Sequence, residues 1–99
     1  MKVNFSDIIN SETPVLVDFY ADWCGPCKVM APILQEVKSN MGDEVRIIKI
    51  DVDNNQALAG QYRIMSIPTL VMFKNGKEVW RQVGVLSASA ITQKVRTGA

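Results

Sequence analysis

With 99 residues, 47% of them apolar and 21% charged, the chain can build one hydrophobic core and is too short for two, so a single domain over residues 1–99 is expected. A formal net charge of +1 supplies no basic surface for nucleic acid and no general attraction to an anionic membrane. The opening Met1-Lys2-Val3-Asn4-Phe5-Ser6-Asp7 lacks the apolar stretch of a secretory signal. No apolar run approaches the roughly 20 residues of a membrane span, and a cytoplasmic location is expected.

Phe5, Ile8 and Ile9 have helical spacing, with Asn4 or Ser6 as cap, so a short first helix is predicted. Residues 15–21 read as a buried strand, apolar on both faces except for Asp18. A second helix is predicted from the Cys24–Cys27 loop to Met41-Gly42, with Met30, Ile33, Leu34, Val37 and Met41 on one face. Pro32 falls inside it and Gly42 is a natural stop. Residues 45–52 read as a second buried strand, and Asp53 or Asn54 as the cap of a short helix through Ala57, Leu58 and Tyr62. Asn75-Gly76 between two strand-like runs is a strong hairpin signal. Ser87 is placed to cap a last helix carrying Ile91 and Val95. This order suggests an α/β fold with a central mixed sheet and helices on both faces.

The chemistry concentrates in Asp22-Trp23-Cys24-Gly25-Pro26-Cys27-Lys28, which holds the only two cysteines. A helix N-terminus has unpaired N–H groups and about half a positive charge, so a thiolate there is stabilised in its reactive form. Cys24, outermost and behind Trp23, is the expected attacking sulfur; Cys27, one turn in, is placed to bridge to it. Pro26 suits a first helical turn, where its missing N–H costs nothing. The expected reaction is dithiol–disulfide exchange: Cys24 attacks a substrate disulfide and Cys27 resolves the mixed disulfide. Asp18 is the candidate to take the Cys27 proton, directly or through water, and Lys49 the candidate to tune Asp18. A structural bridge across so short a loop would stabilise little. A zinc site within one chain lacks ligands, although two chains could share zinc or an iron–sulfur cluster.

At these residues the chain resembles the thioredoxin family. The resemblance is carried by Val17-Asp18-Phe19, the run from Ala21 to Lys28, Ala31-Pro32, Lys49-Ile50-Asp51-Val52-Asp53, Ile67-Pro68-Thr69, Phe73-Lys74-Asn75-Gly76 and Val83-Gly84. It implies a three-layer α/β/α sandwich around the mixed sheet and a protein disulfide reductase that acts as an electron carrier. It also implies a cis Pro68 facing the cysteines, shaping the substrate groove and keeping metals off the thiols. Trp23, Gly25, Pro26, Ile67 and Gly84 would surround Cys24 as an apolar docking surface, with the Ile67 backbone pairing an extended substrate segment. No cofactor would be bound; thioredoxin reductase, using NADPH and flavin, would recharge the dithiol, and disulfide-containing proteins would be the targets of a monomer. Gly-Pro between the cysteines favours a reductant over relatives with Pro-Tyr or Gly-His there.

Simpler roles stand beside these. Asp18 could be a buried polar group paired with backbone, Lys49 could extend into solvent, Trp23 could be packing and Gly84 only a turn. Only four residues precede Phe5, where the family usually has a whole strand, so that strand is expected to be truncated or missing and residues 45–52 to form an open edge. Tyr20 stands where bacterial relatives often carry tryptophan, and its hydroxyl needs a partner if buried. Two further functions compete: a docking module using the same groove without turnover, and an oxidant or isomerase in an oxidising compartment.

Overall fold

The computed structural model describes residues 4–98. Val15–Tyr20 forms strand β1, with Val15 to Phe19 all buried. It is central because both flanks are paired. On one side lies β2 (Arg46–Asp51), parallel to it; on the other lies β3 (Thr69–Lys74), antiparallel, followed by β4 (Lys77–Val83). The sheet order is β2-β1-β3-β4, mixed as expected. The β3–β4 turn is Asn75-Gly76, and both residues have positive φ (53° and 82°), the conformation this hairpin turn demands.

Successive side chains of a strand point to opposite faces, so β1 serves two cores. Leu16 packs with Met30, Leu34, Val37 and Met41 of α2 (Gly25–Met41) and with Ile91 and Val95 of α4 (Ala88–Thr97). Val15, Val17 and Phe19 pack on the other side with Ile9 of α1 (Phe5–Ile9) and with Tyr62 and Ile64, at and after the end of α3 (Gln56–Gln61). There Phe5, Tyr62 and Phe73 meet edge to face with ring centroids 5.3–5.7 Å apart. The result is the expected α/β/α sandwich. Pro32 is inside α2, Gly42 ends that helix at φ 55°, and the Ser87 hydroxyl caps α4 by accepting from the Ala90 N–H.

Two readings change. Residues 45–52 are not a fully buried strand: in β2 Arg46 and Lys49 are exposed and the other positions half-buried, because it is the terminal strand among the described residues. The expected truncated first strand would fall on residues 1–3, outside the described residues. Neither Asp53 nor Asn54 caps α3. Asp51 instead gathers the Asp53 N–H and the Asn54 amide (2.9 and 3.0 Å), so the turn is prolonged and the helix starts after Asn55, without a side-chain cap.

Candidate active site

The cysteines lie where β1 gives way to α2. Cys24 is the N-cap residue, in extended conformation, with Pro26 in the first turn behind it. Its Sγ accepts the Cys27 N–H at 3.2 Å, so the helix N-terminus is directed at that sulfur. Cys24 and Cys27 are joined as a disulfide with their Cα atoms 5.2 Å apart. Both residues are buried to a similar degree. Position on the helix, not exposure, therefore distinguishes the two sulfurs.

Around this pair the structure gathers most of the predicted residues. Cys24 Sγ is 3.8 Å from the Ile67 carbonyl oxygen, the Ile67–Pro68 bond is cis, and Pro68 is buried. Gly84 holds φ 92°, a conformation open to glycine and strained for side-chain-bearing residues, and donates its N–H to the Pro68 carbonyl at 2.9 Å. The loop after β4 is thereby tied to the proline loop. Gly25 and Pro26 are exposed, and Trp23 is 70% exposed, too open to be core packing.

Asp18 lies two residues from Leu16 and shares its α2-facing side. It is wholly buried, and neither carboxylate oxygen has a hydrogen-bond partner among the described residues. The backbone-paired alternative does not hold. Burial raises its pKa from the ordinary 3.8 to about 6, opposed by the positive charge of Lys49. Lys49 is the register partner of Asp18 across β1–β2, yet it forms no ion pair with it: among the described residues the ion pairs are Arg81–Glu78 and Arg96–Glu44. Its ammonium instead sits 4.4 Å from the centroid of the Tyr20 ring. Beside Cys27 a pocket of about 140 Å³ is lined in part by Tyr20, Asp22, Lys28, Ala31 and Lys49.

One residue escaped the sequence reading. The Trp23 indole N–H donates to Asp53 Oδ2 at 2.9 Å, so Asp53, expected as a helix cap, orients the exposed tryptophan. Only its membership in the 49–53 segment pointed to it. Asp53→Ala should raise the KM for a protein disulfide by up to about fivefold, the worth of one exposed hydrogen bond. The thermal midpoint should barely move; an unchanged KM would show that Trp23 needs no anchor.

A helix-capping cysteine bonded to its neighbour one turn on, with the carbonyl before a cis-proline opposite, defines a thiol–disulfide oxidoreductase. Among the described residues no group of three or more histidine, cysteine, aspartate or glutamate side chains is arranged to hold a metal. The thioredoxin family model matches residues 1–97, and the chain belongs to that family. It is 52% identical over 85 residues to a thioredoxin of Bacillus subtilis, covering 86% of this chain and 82% of that protein. A bifunctional thioredoxin reductase/thioredoxin of Mycobacterium leprae is 44% identical over 87 residues, covering 88% of this chain and 19% of that protein. Among solved structures, a mutant thioredoxin of Halobacterium salinarum superposes with a TM-score of 0.87 at 36% identity, covering 98% of this chain and 84% of that one. The chain is a protein disulfide reductase working by dithiol–disulfide exchange.

Proposed function

We propose that Cys24 is the attacking thiolate, Cys27 the resolving thiol and Asp18 the acceptor of the Cys27 proton. The observation that carries the assignment is the Cys27 N–H aimed at Cys24 Sγ from a helix N-terminus. That environment favours a thiolate at Cys24 and leaves Cys27, inside the helix, as the thiol.

Cys24 thiolate attacks one sulfur of a substrate disulfide, forming a Cys24–substrate bond and releasing the other sulfur as thiolate. Cys27 gives its proton to the Asp18 carboxylate and attacks Cys24 Sγ. The mixed disulfide breaks, reduced substrate leaves, and two electrons have passed from the dithiol. Buried without partners, Asp18 has a pKa near the working pH and can both take and return a proton. Lys49 moderates it through charge.

Trp23, Gly25, Pro26, Ile67, Pro68 and Gly84 form the docking surface, with the Ile67 backbone pairing an extended substrate segment. The fused reductase of the Mycobacterium leprae relative supports thioredoxin reductase as the electron source, with NADPH and flavin acting through that partner. No described helix is long and apolar enough to cross a membrane. We assign the chain to the cytoplasm as a monomer serving disulfide-containing proteins.

The test is reduction of a protein disulfide driven by NADPH and thioredoxin reductase. The wild-type chain should turn over and Cys24→Ser should be inactive. Retained function in Cys24→Ser would favour docking without chemistry. A Cys24–Cys27 potential far above the reducing range would favour an oxidant.

A further inference from the structure

We propose that Tyr20 is a positioning residue for the resolving step: its ring face holds the Lys49 ammonium on the side of the sheet that carries Asp18, at a pocket that Cys27 also lines. The proposal rests on Asp18 being the proton acceptor for Cys27.

Strand geometry brings the three groups together. Asp18 and Tyr20 are two apart on β1 and so share its α2-facing side. Lys49 is the register partner of Asp18, and Ile47, two residues before it, belongs to the core under α2. All three side chains therefore leave the sheet toward the same helix. Tyr20, Lys49 and Cys27 line one pocket, so the held cation and the resolving cysteine border the same cavity. A free lysine side chain spreads its charge over many rotamers. An aromatic face within about 6 Å selects those that keep the ammonium near the ring. Here that distance is 4.4 Å.

The surroundings leave this task to Tyr20. The other charged groups facing the pocket are Asp22 from the loop after β1 and Lys28 from α2. Asp51, at the end of β2, acts on Tyr20 through charge, as do Asp22 and Asp18. Desolvation, and after it these carboxylates, push the phenol pKa up. Lys38, the other α2-side cation near β2, is committed to the Gly42 and Val45 carbonyls at 2.8 Å each. Lys49 is the cation whose charge lowers the Asp18 pKa, and Tyr20 is what fixes its place.

The sign follows directly. Releasing Lys49 removes favourable charge from the Asp18 carboxylate, so its titration moves to higher pH. Fewer carboxylates are then available below neutrality, and resolution slows there. An exposed cation–π contact corresponds to roughly a two- to fivefold preference for the held position, which limits the displacement to a few tenths of a pH unit.

The experiment follows the Asp18 carboxyl carbon by NMR across pH in the reduced protein. It is paired with the pH profile of mixed-disulfide resolution. Tyr20→Leu and Lys49→Met should both move the Asp18 midpoint upward. Tyr20→Phe, which keeps the ring, should match wild type, and Tyr20→Trp, a stronger cation acceptor, should sit at or below it. Adding Tyr20→Leu to Lys49→Met should move the midpoint no further. A midpoint that moves in Lys49→Met and stays in Tyr20→Leu would overturn the Tyr20 role, as would a rise in Tyr20→Trp. Failure of the underlying reading looks different: resolution in Asp18→Asn would keep the wild-type rate and pH profile, and Tyr20 would then have no catalytic meaning.

Discussion

Cys27→Ser should turn the chain from a catalyst into a trap. Cys24 keeps its helix N-terminal position, so the first attack proceeds, but the serine hydroxyl cannot displace the mixed disulfide. Steady-state turnover should fall by at least about three orders of magnitude, comparable to losing an activated nucleophile elsewhere. The substrate should remain bound through Cys24, visible as a mass increase that a small thiol reverses. Adduct formation through residue 24 is the decisive readout. If Cys24→Ser formed the adduct and Cys27→Ser did not, the order of the two sulfurs would be reversed.

Asp18→Asn should stabilise the protein at neutral pH while impairing it as a catalyst. In the folded chain the Asp18 carboxyl holds its proton to about pH 6, whereas an ordinary carboxyl releases it near 3.8. Between those values the folded state binds more protons than the unfolded state, so stability falls as pH rises through that window. At about 1.4 kcal/mol per pH unit, the loss is on the order of 3 kcal/mol at pH 7, a large share of a small domain's stability. The asparagine variant carries no ionisation to penalise. It should match wild type near pH 3, gain about 2–3 kcal/mol by pH 7, and resolve mixed disulfides more slowly. Denaturant unfolding at both pH values checks this; parallel stability profiles would show that Asp18 is not buried as a charge.

Features governed by short-range rules were legible in the sequence. The Asn75-Gly76 turn needs two positive φ values, and the Ser87 cap needs an oxygen three residues before an N–H. The cysteine pair is of the same kind, because spacing alone sets both the bridge and its place on the helix. Asp18 stood out as a carboxylate in a strand with no polar face, and burial explains its chemistry. What escaped depends on contacts across the chain. Trp23 and Asp53 are thirty positions apart, and nothing in either neighbourhood announces the bond. Opposite charge suggested that Lys49 tunes Asp18, and its charge does lower the Asp18 pKa; the aromatic face under the ammonium was not legible. The partial exposure of β2 follows from sheet order, which hydropathy along a single strand does not encode; only the family resemblance pointed to an edge there.

That open strand also bears on how the protein keeps company. Among the described residues β2 is the terminal strand of the sheet, with no strand on its outer flank. Arg46 and Lys49 stand exposed along it, and charged side chains on an edge deter another strand from settling there. A carrier that meets a partner, trades one bond and departs is served by a single adhesive face. Cations along its flank keep brief encounters from becoming permanent stacks.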